Sequence, residues 1–302
     1  MREYFIWLAK VITALIIIIV AIPAFIGAML LAGKEVVSLD THRHPKDKKV
    51  AVVELTGVIE DAQEIIDTLY DFADNKRIDG IVLRIDSPGG AVAPSQDLYQ
   101  AIIKLKERKP IIASMGSLAA SGGFYAAVAA SKVIAQPGTM TGSIGVLMQL
   151  PNFTKITDKI GFDMITIRAG TLKDAGNSFR AMTPEERAYL EKTTATVHKQ
   201  FIRDVVNARK LPLSAVEPIA DGRVILGEDA KALGLIDGLG DLYDAARLVY
   251  EVKGEPLQND QDPELIYKEE PLKDFKKALH AVLSIPGVFV KHVPGIRAEL
   301  YE

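Results

Sequence analysis

The sequence predicts an α/β fold: a mostly parallel sheet flanked by helices, preceded by one N-terminal transmembrane helix. Three observations carry this. From residue 49 onward, short runs rich in Val and Ile alternate with segments of helical spacing, the pattern of strand–helix units. The runs are continuously apolar, as strands covered on both faces are. Ahead of them, VITALIIIIVAIPAFIGAMLLAG (11–33) holds no charged residue. At about 1.5 Å per residue it spans roughly 34 Å as a helix, enough to cross the hydrocarbon core.

The elements follow in order. KVAVVELTGVI (49–59) reads as a buried strand, and residues 62–74 as a helix with Ile65, Ile66, Leu69 and Phe72 at helical spacing. GIVLRI (80–85) is a second strand, ended by DSPGG (86–90). A helix over 95–107 leads to the strand PIIASM (110–115), then a turn, a small-residue helix to about Ala130 and the strand KVIAQ (132–136). MITI (164–167) is predicted to be a strand and AGTLKDAG (169–176) a loop. Thr183, Pro184 and Glu186 form a helix start with a capping box, and that helix should reach Arg209. Residues 222–240 read as a strand, a short helix and a glycine stop, and 241–252 as a further helix.

The predicted organisation is an anchor (1–33), a polar tether (34–48), a main α/β domain (49–253) and a tail (254–302). Trp7 sits where an interfacial anchor belongs, and Pro23 can kink the span. In the tail, residues 271–283 put Leu272, Phe275, Leu279 and Val282 on one face, with Lys273, Lys276 and Lys277 elsewhere, an amphipathic helix suited to packing on a subunit or a membrane surface.

Composition narrows the chemistry. Net charge is −3 with no long basic run, so nucleic acid is not an expected partner. There is no cysteine, which excludes disulfides, a thiol nucleophile and thiolate metal sites. Covalent catalysis would need Ser or Thr with an adjacent base. The chain has five histidines. His42 and His44 are in the tether, His280 and His292 in the tail, and His198 inside a long helix, where packing or solvation explains it. A lysine can serve as base where burial disfavours its charged form, and Lys173 in the glycine-containing loop is a candidate. Gly89 and Gly90 follow a strand, and Gly122 follows Ser121 at a helix start. Such backbone N–H groups suit a developing oxyanion.

Four segments in order, DSPGG (86–90), GSLAASGGFYAA (116–127), GTMTGSIGV (138–146) and AGTLKDAG (169–176), resemble the signature of the S49 serine peptidases. GEDAKALGLIDGLG (227–240) is similar to that family's C-terminal segment, so the resemblance runs over 50–252. It implies a fold similar to Clp protease and crotonase, and a Ser–Lys dyad in place of a triad. By motif position Ser121 resembles the nucleophile and Lys173 the general base. The N–H groups of Gly90 and Gly122 resemble the oxyanion hole, and Ser143 a serine that orients the lysine. Ser117, which lies before the turn without a following glycine pair, is expected to be structural. No cofactor or metal is implied.

The resemblance further implies peptide substrates, in particular cleaved signal peptides, and an assembly of several identical subunits whose active sites form where neighbours meet. The expected location is the cell membrane, single-pass, with the catalytic domain extracytoplasmic. Counting charges gives the opposite orientation: Arg2 and Lys10 precede the span, whereas Lys34, Arg43, Lys46, Lys48 and Lys49 follow it. Two alternatives use the same fold. A crotonase-type acyl-CoA enzyme would carry a glutamate near the turn and needs no anchor. An inactive membrane scaffold would not need Ser121 and Lys173.

Overall fold

A computed structural model of the chain describes residues 48–258 and 261–268. The predicted anchor, nearly all of the tether and the amphipathic helix at 271–283 lie outside the described residues. Among the described residues no helix is long and apolar enough to cross a membrane.

In chain order the elements are β1 (Lys49–Ile59), α1 (Gln63–Asp74), β2 (Gly80–Gly90), α2 (Val92–Leu105), β3 (Ile111–Ala120), α3 (Gly122–Val128), β4 (Lys132–Ala135), β5 (Met140–Gly142) and α4 (Thr154–Ile160). Then come α5 (Pro184–Arg209), α6 (Leu213–Val216), a 3₁₀ turn (Glu217–Ile219), β6 (Val224–Leu226), α7 (Gly227–Ala232), β7 (Gly238–Leu239), α8 (Leu242–Lys253) and β8 (Glu264–Tyr267). The sheet order is β6-β5-β3-β2-β1-β8, and β4 bridges β3 and β7. All pairings are parallel except β5 with β6.

The continuous apolar runs are explained by burial on two faces. Leu83 of β2 shares one face with Ala113 and Val53, its register partners, under Leu69 of α1, Ile102 of α2 and Phe124 of α3. Val82, Val50 and Ile112 point the other way, against Ala245, Val249 and Tyr250 of α8. Strand alternation sends successive side chains to opposite faces, so both sets must be apolar. Each fully buried Leu or Ile contributes about 1.5–3 kcal/mol.

All three central strands change course at one level. The register shifts between Thr56 and Val58 in β1 and between Ile85 and Ser87 in β2. In β3, Ile112–Ser114 pair with β4 whereas Leu118–Ala120 pair with β5. Bulges bend strands and re-aim the residues beyond the bend. Those residues are Gly89–Gly90 on β2 and, just past the end of β3, Ser121.

Three predicted boundaries are corrected. DSPGG does not end β2, because the strand continues through it to Gly90. MITI (164–167) is not a strand. Its pattern is β-like, but it has no ladder partner among the described residues, and Ile165 and Ile167 are 86% and 96% exposed. A strand exists only through pairing, so propensity alone does not make one. Beyond residue 253 the sheet gains β8, which pairs with Lys49–Val52 of β1. The capping-box helix forms as expected. Thr183 Oγ1 accepts from the Glu186 N–H at 3.2 Å, and the Glu186 carboxylate accepts from the Thr183 N–H at 2.9 Å.

Candidate active site

Ser121 occupies the junction between β3 and α3, with φ 51° and ψ −119°. A non-glycine residue at positive φ costs on the order of 1–3 kcal/mol and persists only where its surroundings fix it. Two backbone bonds do so. The Ser121 N–H donates to the Gly142 carbonyl at 2.9 Å, and the Ser121 carbonyl accepts from the Tyr125 N–H at 2.8 Å. Behind the junction, the Thr141 hydroxyl donates to the Ala119 carbonyl at 2.6 Å and holds β5 to β3. The result is a half-buried serine presented at a sharp strand-to-helix turn, the device by which hydrolases expose a nucleophile.

The glycine turn of β2 is pressed against it. A Cβ on Gly89, which has φ +98°, would fall 2.5 Å from the Gly122 nitrogen and 2.8 Å from Ser121 Cβ. A Cβ on Gly122 would fall 2.3 Å from Ser95 Oγ and 3.2 Å from the Gly90 nitrogen. Only hydrogen fits at either position, and this lets the Gly90 and Gly122 backbones meet beside Ser121. A cavity of about 30 Å³ lies there, bounded by Gly90, Ser95, Ser121, Gly122, Val146 and Phe201 among others. It has room for roughly one small group. Val146 also borders a hollow of about 440 Å³ whose lining combines Met148, Leu150 and Leu190 with Arg187, Glu191 and His198.

The floor of the small cavity is set by α5. Phe201 stacks on Tyr125 of α3 with ring centroids 4.5 Å apart. The Tyr125 hydroxyl donates to the buried Asp204 carboxylate in a short bond, and the Tyr99 hydroxyl donates to the Asp204 carbonyl at 3.3 Å. Burial, then the bond to Asp204, pushes the Tyr125 hydroxyl well above the usual phenol range. It is therefore a permanent donor that ties α3 to α5.

Ser143 also has positive φ, 50°, and its N–H donates to the Arg223 carbonyl at 2.8 Å. It follows Gly142, the residue that accepts from Ser121, so the two serines belong to one hydrogen-bonded unit. Lys173 stands apart. It lies in a turn whose backbone closes from the Lys173 N–H to the Gly170 carbonyl at 3.3 Å. Its side chain is exposed, and it does not border the cavity at Ser121. The structure thus brings Ser121, Gly122, Gly90 and the Ser143 turn together and leaves Lys173 on a separate loop. Ser117 is exposed on β3, and His198 Nε2 lies 3.1 Å from the Ile144 carbonyl.

Two residues of this arrangement escape sequence reasoning, and a third, Gly142, is missed by it although legible. Ser95 carries no motif signal, since it is a polar residue inside a helix. Gly142 was open to recognition, because it stands within TGSIG directly before Ser143. Arg180, which holds the loop of Lys173, bonds to side chains on both sides of it that no linear pattern connects.

Comparison with known proteins matches the profile "Peptidase family S49" to residues 103–254, about half of the chain, and the profile "Clp protease" to residues 46–143. The architecture is accordingly a Clp protease-like α/β fold. "Putative protease slr0021" of Synechocystis sp. is 35% identical over 208 residues, covering 68% of this chain and 75% of that protein. "Serine protease SPPA, chloroplastic" of Arabidopsis thaliana is 36% identical over 197 residues, 65% of this chain and 29% of the relative. "Protease 4" of Salmonella typhi is 34% identical over 213 residues, 67% and 34%. The chain thus spans most of the first relative and about a third of the other two. The S49 match contains the strained Ser121 junction and Gly122, the Clp protease match contains Gly90 as well, and the chain belongs to peptidase family S49 as a serine peptidase.

Proposed function

We propose that the chain is a membrane-anchored endopeptidase that cleaves apolar peptides, signal peptides among them, with a Ser121–Lys173 dyad. The observation that carries this reading is the meeting of Ser121 with the Gly90 and Gly122 backbones at one small cavity. The uncharged amine of Lys173 takes the Ser121 proton. The hydroxyl oxygen attacks the peptide carbonyl, and the Gly90 and Gly122 N–H groups stabilise the tetrahedral oxyanion. The proton passes to the leaving amine, the acyl-enzyme forms, and water releases it. Ser143 orients the lysine.

The Lys173 side chain is exposed in the single chain, so the dyad reading requires it to be covered in the working enzyme. Exposed apolar side chains support coverage by neighbouring copies: Leu147, Ile160, Ile165 and Ile167 are all more than two-thirds exposed. The reading is therefore a homo-oligomer, anchored through residues 11–33, with the catalytic domains outside the cytoplasm. A relative from Enterococcus faecium is named "Putative signal peptide peptidase SppA", which supports the substrate class.

The test is labelling of the full-length, detergent-purified protein with a fluorophosphonate, followed by mass spectrometry. The adduct is expected on Ser121, and Ser121→Ala and Lys173→Met are each expected to abolish peptide hydrolysis. Hydrolysis surviving in Lys173→Met would place the base elsewhere. Protease protection in intact cells and inverted vesicles reads the orientation.

A further inference from the structure

The loop of Lys173 is fastened to the start of α5 by one guanidinium. Arg180 Nε donates to Asp174 Oδ2 at 2.8 Å, and Nη2 donates to the Asp174 carbonyl at 2.9 Å. Its Nη1 donates to Glu186 Oε2 at 2.9 Å and to the Ala181 carbonyl at 3.1 Å, and Nη2 makes a further short bond to Glu186 Oε1. Glu186 is buried and is itself the capping-box residue of α5. On the loop side, Asn177 Nδ2 donates to Asp174 Oδ1 at 2.9 Å. Every N–H direction of the fork is thus committed, and both of its carboxylate partners are fixed by a second bond.

Asp174 is the residue directly after Lys173. Its side chain and its carbonyl are both held by Arg180, so the residue next to Lys173 and the peptide unit that follows Asp174 have little freedom. The charged groups meeting here are Arg168, Asp174 and Arg180 from the loop region and Glu186 from α5, with Arg168 Nη1 lying 3.5 Å from Asp174 and 3.7 Å from Glu186. Two cations against two carboxylates leave Asp174 compensated, rather than free to hold the neighbouring lysine as an ion pair. The Arg180 bonds, after that of Asn177, keep the Asp174 carboxyl below the usual carboxylate range, and they bring Glu186 down to about 2.

We infer that Arg180 is a positioning residue for the general base: it clamps Asp174 to the N-terminus of α5 and so fixes the backbone that carries Lys173. The inference rests on the dyad reading above. Arg is needed rather than Lys, because only a planar fork reaches both carboxylates and a carbonyl at once.

The experiment compares full-length wild type, Arg180→Ala, Arg180→Lys, Asp174→Asn and Lys173→Met in steady-state peptide hydrolysis. Melting and sedimentation are measured on each. A base displaced by about 1 Å loses on the order of 10²-fold in rate. Arg180→Ala is expected to lose about that in kcat with little change in KM, and tens of millimolar guanidinium should restore part of it without raising the wild type. Arg180→Lys should fall between the two. Asp174→Asn removes the charge and one acceptor oxygen of the clamp on the loop side only and leaves the capping box of α5 intact. It should lose kcat even if Arg180→Ala fails to fold. Wild-type kcat in Arg180→Ala or Asp174→Asn, with Lys173→Met inactive, would overturn the clamp while sparing the dyad. An active Lys173→Met would remove the dyad and the clamp together.

Discussion

The backbone N–H of Ser121 donates to the carbonyl of Gly142 at 2.9 Å. Through it, the strained turn of Ser121, the proposed nucleophile, and the turn of Ser143 share one peptide unit. Gly142 has φ +71°, and a Cβ there would fall 3.0 Å from Ile225 Cγ1. Alanine at this conformation costs roughly 1–2 kcal/mol before any displacement of Ile225. Gly142→Ala is predicted to lower kcat/KM by at least about tenfold, because the carbonyl that anchors Ser121 must shift. Melting temperature should fall by only a few degrees. Kinetics alongside thermal melts check this, and unchanged kcat/KM would remove Gly142 from the machinery.

Gly122→Ala is predicted to be more damaging to catalysis. Its methyl would meet Ser95 Oγ at 2.3 Å, and the Gly90 nitrogen lies 3.2 Å away. Where the backbone gives, the Gly122 N–H moves relative to that of Gly90, and these are the two donors of the proposed oxyanion hole. Loss of one such donor costs about 10²–10³ in kcat. Ser95→Ala, which retains its Cβ and loses only the bond to the Ala91 carbonyl at 2.8 Å, should cost far less. The measurement is kcat for both variants at saturating peptide, and near-equal losses would contradict the assignment.

Most of the sheet could be read from sequence because two-sided burial leaves an unmistakable mark. Strands β1 to β4 are dense in Val, Ile and Ala, and the capping box of α5 gives its start residue by residue. Two kinds of feature were not legible. β5 (Met-Thr-Gly) carries no apolar run, and β8 is a four-residue piece within the stretch read as the tail; each exists because a neighbouring strand pairs with it. The opposite case is MITI, which has β-like residues but no edge to join. At the site, glycines beside serines suggested close backbone approach. Only the packing of β2 against the β3–α3 junction shows which glycine meets which residue.

On the other side of the sheet, stability is predicted to depend on pH through Asp79. Burial alone would raise its carboxyl, but bonds from Lys253 Nζ at 2.7 Å, the Tyr250 hydroxyl at 2.8 Å and the Lys49 N–H hold it below the usual range. A depressed carboxylate contributes stability that is full above its unfolded value of about 3.9 and is lost as pH falls through the folded value. Denaturation of wild type and Asp79→Asn should therefore show a constant gap from neutral pH to about 5, closing at more acid pH. Tyr250→Phe should cost about 1.5–3 kcal/mol at neutral pH, the worth of a bond to a charged group. A gap that does not change with pH would rule out the ion-paired carboxylate as its source.

The apolar surface around the loop of Lys173 yields the last prediction. Ile165 and Ile167 are almost wholly exposed, and Leu147 and Ile160 are more than two-thirds exposed on neighbouring stretches of chain. Four large apolar side chains exposed to this degree between residues 147 and 167 favour a surface that is covered in use. Neither Ile165 nor Ile167 contributes to a buried cluster of the single chain, so replacing both with Asp removes no core contact. The double variant is expected to keep the wild-type melting behaviour of its own fold. It should also sediment in detergent as a smaller species and lose peptide hydrolysis. The loss of hydrolysis is expected because, in the proposed dyad, the neighbouring copy is what covers the exposed Lys173 side chain. Sedimentation velocity and hydrolysis measured on the same sample decide it: an active monomer would show that Lys173 needs no neighbour.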